Sequence, residues 1–330
     1  MRRSYVVLSA LFASAAVAWG QSPPLADGQL VASESLSLTK SWDELDELSK
    51  FRFPRAEYDE AKNQQTFEAQ RIVYGSDGLR IVGYLYKPKE TAGRKLPAIL
   101  FNRGGTADFG ALTPNELVNF YFWAKEGFVV LASNYRGGGG SEGVDEWGGR
   151  DVNDVLNLVP LAKNLGFIDL DNLFLLGMSR GGPMTYIAIK RGMPVNAAAV
   201  IAGVTDLRVQ DMQRPEFLDG NDPFLRQIGW LGWKKIWPDF EHRAAEHFAE
   251  RSAVCWPEQL NVPLLLLHSR TDSRVPVEHA LTLANLLEKE GKEYELVIYA
   301  HDGHSLPLRR KDRDEHIVSW FKNHVKRRDG

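Results

Sequence analysis

Short apolar runs alternate with longer amphipathic stretches over most of this 330-residue chain. The apolar runs are continuous rather than alternating with polar residues, which is typical of strands covered by helices on both faces. Six such runs predict strands, at 98–101, 128–132, 173–176, 197–201, 262–268 and 295–300. Helical stretches lie between and after them, at 113–126, 151–164, 181–191, 276–290 and 312–326. The pattern therefore predicts an α/β fold with a doubly wound, mostly parallel sheet.

The N-terminal side of this repeat has a different pattern. Residues 71–74 and 79–86 predict two strands, and the turn residues Gly75-Ser76-Asp77-Gly78 between them indicate a hairpin. Residues 21–40 are small, polar and rich in serine, so we expect a loose lead-in there. Ser41-Trp42-Asp43-Glu44 matches a capping box and predicts that a short amphipathic helix begins at this point.

A segment without strands interrupts the alternation at about residues 205–257. About 50 residues between two strands are too many for a simple connection, so we predict a helical cap inserted over the edge of the sheet. Four of the nine tryptophans lie in it, namely Trp230, Trp233, Trp237 and Trp256. We expect most of these side chains to form the core of the cap, and Trp230 and Trp233 are the candidates for substrate contact.

The first 20 residues have the pattern of a signal peptide. Two arginines near the start precede an apolar stretch at 5–18, and small residues occupy positions 18 and 20, where a signal peptidase would cleave. The alternative is a retained membrane anchor, but the apolar stretch is shorter than the ~20 residues that span a bilayer. We therefore expect cleavage, export to the periplasm or the medium, and no stable membrane association afterwards.

Composition and charge narrow the classes of function. A net charge of −3 with scattered basic residues argues against a nucleic-acid partner, and 44% hydrophobic content suits one large domain. Cys255 is the only cysteine, which excludes an internal disulfide and a thiolate metal cluster, and we expect it to be a buried structural thiol. We divide the chain into a signal peptide at 1–20, a lead-in with a short helix at 21–68 and a catalytic domain at 69–330.

Two segments match the nucleophile motif G-x-S-x-G, at 139–143 and 177–181. The motif needs a buried strand, a sharp turn and then a helix, so that the serine oxygen is exposed above the sheet. Ser179 follows a predicted strand and precedes a predicted helix, whereas Ser141 follows a run of glycines and precedes neither element. Ser179 is therefore the candidate nucleophile, and we interpret Ser141 as an ordinary loop residue.

A serine hydroxyl needs a base, and the base needs an acid that fixes its tautomer. In α/β hydrolases the three residues occur in the order serine, acid, histidine, and ligands gather at the carboxyl ends of the strands. Asp272 follows the fifth predicted strand and His304 the sixth, so we predict the triad Ser179, Asp272 and His304. His301 is the alternative base, but Gly303 favours His304 because glycine lets the backbone bend toward the serine.

Most of the chain, about residues 70–325, resembles the catalytic domain of the prolyl oligopeptidase family of serine hydrolases. The segments that carry the resemblance are Asp77-Gly78-Leu79, Asn134-Tyr135-Arg136-Gly137, Gly177–Gly182, 272–276 and Gly303-His304. The resemblance implies an α/β-hydrolase fold and peptidase activity on short peptides. Larger members carry a β-propeller ahead of the catalytic domain, and the residues before the hairpin leave no room for one. We therefore expect a site gated only by the cap.

The resemblance also implies an oxyanion hole, which stabilises the charge that develops on the substrate carbonyl oxygen. One donor would be the backbone N–H of Arg180, directly after the nucleophile. Family members often supply the second from His-Gly-Gly or an inward-pointing tyrosine at the turn after the strand 98–101, where this chain has Phe101 and Asn102 instead. The remaining donors are a backbone N–H at Gly104 or Gly105 and the side-chain amide of Asn102. Arg274 lies where the family's peptidases can hold an arginine that grips a substrate carbonyl, or it pairs with a neighbouring carboxylate.

Together these observations predict an exported serine hydrolase that cleaves amide or ester bonds through an acyl-enzyme on Ser179. Its substrate would be a short peptide or another small molecule, and the chemistry requires no metal and no organic cofactor. One alternative is a carboxylesterase that acts on acylated carbohydrates or aromatic esters. Another is a binding protein that has kept the hydrolase fold without catalysis. The sequence leaves the oligomeric state open.

Overall fold

A computed structural model describes residues 25–209 and 215–327 of the chain. The signal peptide predicted at 1–20 lies outside the described residues, and so do residues 210–214 of the predicted cap. Within the two described ranges, no helix is both long and apolar enough to cross a membrane.

The described strands form a single sheet. Their bounds are Leu30–Leu36 (β1), Phe67–Ser76 (β2), Leu79–Pro88 (β3), Leu96–Asn102 (β4), Val129–Ser133 (β5), Ile168–Met178 (β6), Ala197–Ile201 (β7), Leu264–Ser269 (β8) and Tyr294–Tyr299 (β9). Their spatial order is β1-β2-β3-β5-β4-β6-β7-β8-β9. The pairs β1-β2, β2-β3 and β3-β5 are antiparallel. All the other pairs, from β5-β4 along the sheet to β8-β9, are parallel. The predicted mostly parallel sheet is confirmed.

Helices cover the sheet and build the cap. Their bounds are Glu47–Arg52 (α1), Arg55–Asn63 (α2), Leu117–Lys125 (α3), Val152–Leu156 (α4), Leu158–Leu165 (α5), Gly181–Lys190 (α6), Pro223–Gln227 (α7), Trp233–Ile236 (α8), Phe240–Glu250 (α9), Glu278–Lys289 (α10) and Arg310–Asn323 (α11). Because helices lie on both faces, alternate residues of one strand enter different cores. In β6, Leu173 and Leu175 face one core, whereas Phe174 and Leu176 face the other.

The segment before the hairpin differs from its prediction. The loose lead-in expected at 21–40 was wrong for Leu30–Leu36, which pairs antiparallel with β2 as the edge strand β1. Its side chains are mostly exposed, so no apolar alternation marks it in the sequence. The capping box at Ser41 is present, but it opens a 3₁₀ turn at Trp42–Glu44. Helix α1 begins separately, where the Asp46 side chain accepts from Ser49 N at 2.9 Å.

The cap is helical, as its length and composition predict. Trp230, Trp233 and Trp237 pack together in its core, with ring centroids 4.7 Å apart for the first two and 4.6 Å for the last two. Trp256 instead joins the main core of the domain.

The side chain of Cys255 is exposed, so the expectation of a buried structural thiol was wrong. The short 3₁₀ turn at Ala253–Cys255 leaves this side chain at the surface.

A buried ion pair links the hairpin to the helical layer. Arg136 follows β5, and its guanidinium Nη2 lies 2.7 Å from Asp154 Oδ1 in α4 and 2.7 Å from Asp77 Oδ2 in the hairpin turn. Asp154 also accepts from Ser76 Oγ at 2.7 Å. Burial raises the pKa of Asp154 to about 6, although the hydrogen bonds from Arg136 and Ser76 oppose that shift. The pair fixes three separate segments against each other.

We expect Asp154→Asn to lower the free energy of unfolding by about 3 kcal/mol, because it leaves the buried Arg136 without its main partner. Asp77→Asn is the matched control, since the Asp77 side chain is 34% exposed and its loss should cost about 1 kcal/mol or less. Urea unfolding of the three proteins at pH 8 measures both differences. Equal losses in the two variants would contradict the assignment of Asp154 as the principal partner.

Candidate active site

Ser179 lies at the sharp turn between β6 and α6. Its φ is +56°, a left-handed conformation that is unusual for a residue with a side chain. Its backbone N–H donates to Ile201 O at 2.8 Å, which ties the turn to β7. A Cβ at Gly177 would lie 2.5 Å from Gly181 O, and one at Gly181 would collide with Asn102 O. Both motif glycines are therefore required by close backbone contacts, and the turn is a nucleophile elbow.

Ser141, in the second copy of the motif, has a different setting. Its Oγ accepts a hydrogen bond from Val82 N at 3.0 Å and so holds the glycine-rich loop against β3. It lies neither at the end of a strand nor at the start of a helix. This geometry agrees with the interpretation of Ser141 as a structural loop residue.

Asp272 and His304 meet at the ends of β8 and β9. His304 Nδ1 lies 2.8 Å from Asp272 Oδ2. The other carboxylate oxygen accepts from the backbone N–H groups of Arg274 and Val275, at 2.9 and 3.0 Å. Because an ionised carboxylate only accepts hydrogen bonds, Nδ1 of His304 must be the donor. The Nε2 atom of His304 is then free to accept a proton.

The environment of Asp272 keeps this carboxylate ionised. Burial raises its pKa, but hydrogen bonds from His268 and His304 outweigh that effect and hold the pKa well below its usual range. His268 Nε2 lies 3.5 Å from Asp272 Oδ2 and 2.8 Å from Val275 O. His268 therefore fixes the loop that carries the acid.

The loop after β9 distinguishes the two candidate bases. His304 lines the same pocket as Ser179, whereas His301 is exposed and is not among the residues that line it. We expected the backbone to bend at Gly303. The residues with a left-handed backbone are instead Ser305 and Leu306, with φ of +67° and +59°. Arg313 Nη1 donates to Ser305 O at 2.6 Å and supports this strained turn from α11.

A pocket of about 620 Å³ opens beside Ser179 and His304. Its remaining lining residues are mostly apolar and come from the loops and the cap: Gly105, Thr106, Phe109, Trp147, Arg180, Val204, Phe217, Trp233, Arg274 and Val275. The predicted contact residue Trp233 is one of them. Trp230 is not one of them; it packs edge to face against Trp233 and donates its Nε1–H to Phe217 O at 3.1 Å. The prediction of substrate contact was therefore wrong for Trp230.

The cap also contacts the loop that follows β4. Phe109 and Phe224 meet edge to face with ring centroids 5.5 Å apart, although both are partly exposed. Next to this contact, Asp108 N donates to Ile228 O at 3.0 Å. The loop beside the nucleophile and the cap above it are thus joined by a backbone hydrogen bond and an aromatic pair.

Arg274 lies at the rim of the pocket. Its side chain is exposed, and within the described part of the chain its guanidinium makes no ion pair. Of the two roles left open by the sequence, pairing with a neighbouring carboxylate is therefore not seen.

The turn after β4 runs directly along the nucleophile. A Cβ at Gly104 would lie 3.1 Å from Ser179 Cβ and 3.7 Å from Ser179 Oγ, so the Gly104 backbone borders the serine. Gly105, with φ of +78°, lines the pocket. The side-chain amide of Asn102 instead donates to Thr185 Oγ1 at 2.9 Å and is fully buried. The structure thus contradicts the Asn102 amide as an oxyanion donor and leaves the Gly104–Gly105 backbone.

Sequence reasoning missed the charged groups beneath the pocket. The Arg180 side chain is buried against Asp145 and Asp151, which are 35 and 29 residues away along the chain. Arg103, the first residue of the turn after β4, is buried as well. Such pairings between residues far apart in the chain leave no local pattern in the sequence.

Comparison with known sequences gives a consistent result. A profile of the prolyl oligopeptidase family matches residues 115–328. A Bacillus subtilis (strain 168) protein described as uncharacterized peptidase YtmA is 28% identical over 254 residues, covering 76% of this chain and 92% of that protein. Acylamino-acid-releasing enzyme 1 of Oryza sativa subsp. japonica is 27% identical over 257 residues, covering 72% of this chain and 31% of that enzyme.

Comparison with solved structures supports the predicted fold. The acylaminoacyl peptidase of Pyrococcus horikoshii superposes with a TM-score of 0.63 at 23% sequence identity, covering 82% of this chain and 44% of that one. At this identity the likeness concerns the fold, and it confirms the α/β-hydrolase architecture. The chain spans nearly all of YtmA but less than half of the rice enzyme and of the Pyrococcus chain.

We expect the contribution of Asp272 to stability to depend on pH. Because its pKa is lower in the folded than in the unfolded chain, the contribution is fully present above the unfolded pKa of about 3.9 and is lost as the pH falls further. Urea unfolding at several pH values should show a constant difference between wild type and Asp272→Asn down to about pH 5. Below about pH 5, the difference in free energy of unfolding between wild type and Asp272→Asn should become smaller.

Asp43→Asn is the control, because Asp43 pairs with Arg55 at the surface and its side chain is 64% exposed. Its difference from wild type should be small throughout. If the difference for Asp272→Asn stayed constant down to pH 3, the carboxylate would not be stabilised by the two histidines.

Proposed function

This chain belongs to the prolyl oligopeptidase family and is a peptidase of the serine hydrolase class, and we propose that Ser179, Asp272 and His304 form its catalytic triad. The observation that carries the proposal is the 2.8 Å contact between His304 Nδ1 and Asp272 Oδ2, beside a pocket that Ser179 and His304 both line. The three residues follow the ends of β6, β8 and β9, which are parallel strands whose carboxyl ends lie at the same edge of the sheet.

In the proposed reaction, His304 Nε2 takes the proton of the Ser179 hydroxyl while the serine oxygen attacks the carbonyl carbon of the substrate. Asp272 orients the ring and stabilises the imidazolium that forms. His304 then gives the proton to the leaving amine, the bond between carbonyl and nitrogen breaks, and an acyl-enzyme remains. His304 then takes a proton from a water molecule, whose oxygen attacks the carbonyl carbon of the acyl-enzyme. The bond between that carbon and the serine oxygen breaks, the carboxylic acid leaves, and His304 returns a proton to Ser179.

The negative charge on the carbonyl oxygen needs donors that are already in place. The Arg180 backbone N–H, at the start of α6, is one such group because it directly follows the nucleophile. The backbone that borders Ser179 at Gly104, or continues at Gly105, supplies the second donor in this proposal. A helix start also carries partial positive charge, which favours an oxyanion at that place.

The charge distribution of the pocket favours substrates with a blocked amino end. Of its described lining residues, none has a carboxylate, and the cation Arg274 is unpaired. A free substrate ammonium would find no acidic partner here and would be repelled by Arg274, whereas an acylated amine is neutral. The name of the rice relative supports the same class. We therefore propose cleavage of short N-acylated peptides with an apolar residue on the acyl side, held by Phe217 and Trp233.

Arg274 would bind a carbonyl oxygen of the substrate. Its guanidinium is exposed at the rim of the pocket and free of internal partners among the described residues, so it can donate without first breaking an ion pair. Arg274→Met should therefore raise KM about tenfold and change kcat little, because a charged hydrogen bond to the bound substrate is lost. Arg274→Lys should recover part of the binding.

The test uses three substrates with one phenylalanyl group: acetyl-alanyl-phenylalanine p-nitroanilide, the same amide with a free amino end, and the corresponding blocked p-nitrophenyl ester. We expect kcat/KM for the blocked amide to exceed that of the free amide at least about tenfold, which corresponds to ~1.4 kcal/mol. Ser179→Ala should lose at least about 10⁴-fold on all three substrates.

Different outcomes identify different errors. Equal rates for the blocked and free amides would refute the substrate class while leaving the triad intact. Turnover of the ester alone would establish the carboxylesterase alternative. Activity of Ser179→Ala equal to that of wild type would refute the triad.

We also propose that the mature protein is exported. The N-terminal arginines, the apolar stretch at 5–18 and the small residues at 18 and 20 support this proposal. Expression of the full chain in a bacterial host should yield a protein that begins at residue 19 or 21, recovered outside the cytoplasm, as measured by mass spectrometry of the intact chain. An uncleaved protein confined to the cytoplasm would contradict it.

A further inference from the structure

The side chain of Arg180 turns back beneath the loop that borders the nucleophile. We propose that Arg180 and Asp145 are a positioning pair that holds residues 103–107, here called the oxyanion loop, against Ser179. The inference rests on the proposed function insofar as Ser179 is the nucleophile. It assigns to the side chain of Arg180 a role separate from that of its backbone N–H.

Asp145 binds both partners at once. Its Oδ2 accepts from Arg180 Nη1 at 2.6 Å, from Thr106 Oγ1 at 3.0 Å and from Ala107 N at 2.8 Å. Its Oδ1 accepts from Arg180 Nη2 at 2.5 Å and from Trp147 N at 3.0 Å. Two of these five donors belong to the oxyanion loop, so the carboxylate fixes that loop directly.

Arg180 supplies the connection to the elbow. Besides its contacts with Asp145, Nη1 donates to Gly105 O at 3.1 Å, and Nη2 donates to Asp151 Oδ2 at 2.5 Å. The guanidinium lies over the rings of Tyr135 and Trp147, at 5.2 and 5.4 Å from their centroids. Because Arg180 directly follows Ser179 in the chain, this side chain couples the oxyanion loop to the nucleophile.

Arg103 holds the same loop from within. Its guanidinium donates to Gly104 O at 3.0 Å and to Ala107 O and Asn134 O, both at 2.8 Å. The carbonyl groups of Gly104 and Gly105 are thus both bound by buried guanidinium groups. Because a trans peptide is planar, fixing a carbonyl also fixes the N–H of the next residue on the opposite side. A peptide that flipped here would present an oxygen where the oxyanion hole needs a donor.

Burial makes this network sensitive to the loss of one member. The Arg180 side chain is 1% exposed, and those of Asp145 and Asp151 are 5% and 0% exposed. Burial raises the pKa of Asp151, and Arg180 opposes that shift. Asp145→Asn leaves Asp151 as the only described carboxylate partner of Arg180. It also replaces one of the two acceptor oxygens with an NH₂ donor, so the five hydrogen bonds to this side chain cannot all persist.

The test is the rate at which a small alkyl fluorophosphonate labels Ser179 in Asp145→Asn, compared with wild type. In this reaction the serine oxygen bonds to phosphorus and displaces fluoride, while the phosphoryl oxygen occupies the oxyanion hole. We expect a loss of about 100-fold in the second-order rate constant, the effect of one misplaced donor. For the blocked amide, kcat should fall similarly, and KM should stay within about twofold of wild type.

Asp154→Asn is the matched control, because it also removes a buried carboxylate from an arginine but touches neither the elbow nor the oxyanion loop. It should label Ser179 at the wild-type rate even though it is destabilised. A purely structural role for Asp145 would slow labelling only in proportion to the unfolded fraction, as it would in this control. Labelling of folded Asp145→Asn at the wild-type rate would overturn the inference.

Arg180→Lys keeps the test decisive if Asp145→Asn does not fold. Lysine keeps the backbone N–H and the charge, but the three donors of its ammonium group cannot replace the four hydrogen bonds that the planar guanidinium makes to Asp145, Asp151 and Gly105. The same loss of about 100-fold is expected, and a wild-type labelling rate would overturn the inference. Wild-type protein that is labelled but cleaves no peptide would refute the proposed substrates alone. Wild-type protein that is not labelled at Ser179 would overturn both proposals.

Discussion

The close approach of backbones at the end of β6 is the constraint on which the site depends. Gly177 and Gly181 let the turn and the first residue of α6 press against the end of β4, and any side chain at Gly181 would meet Asn102 O. The chain can leave the strand and enter the helix so abruptly only if Ser179 adopts a left-handed conformation. The exposed serine, the helix start behind it and the adjacent Gly104 backbone all follow from this packing.

The other parts of the site lie on loops that are held in place by hydrogen bonds and contacts from other segments. The Asp272 carboxylate is held by the backbone N–H groups of Arg274 and Val275 and by His268. The turn after His304 is supported by Arg313. The guanidinium groups of Arg103 and Arg180 hold the oxyanion loop, and the segment directly after it contacts the cap through Phe109 and Phe224. The sheet places each reacting group at the end of a strand, and these buried polar contacts fix the orientation of its side chain.

The sequence predicted what is local or periodic. Continuous apolar runs marked β4 to β9, and glycine spacing with a strand before it and a helix after it singled out Ser179. Asp272 and His304 were found because ligands gather where parallel strands end. The features that the sequence did not predict depend on contacts between residues that are far apart in the chain. The exposed strand β1 has no apolar pattern of its own, the partners of Arg180 lie about 30 residues away, and Trp230 could be separated from Trp233 only by packing.

The strain at Ser179 also bears on how such a chain would change without selection. Glycine adopts the left-handed conformation freely, so a mutation from serine to glycine at this position would relieve about 1 kcal/mol of backbone strain. The same mutation removes the nucleophile. Because the extra conformational entropy that glycine loses on folding is of similar size, the mutation from an active to an inactive protein costs little stability. Only a continuing demand for catalysis would hold a serine in this turn.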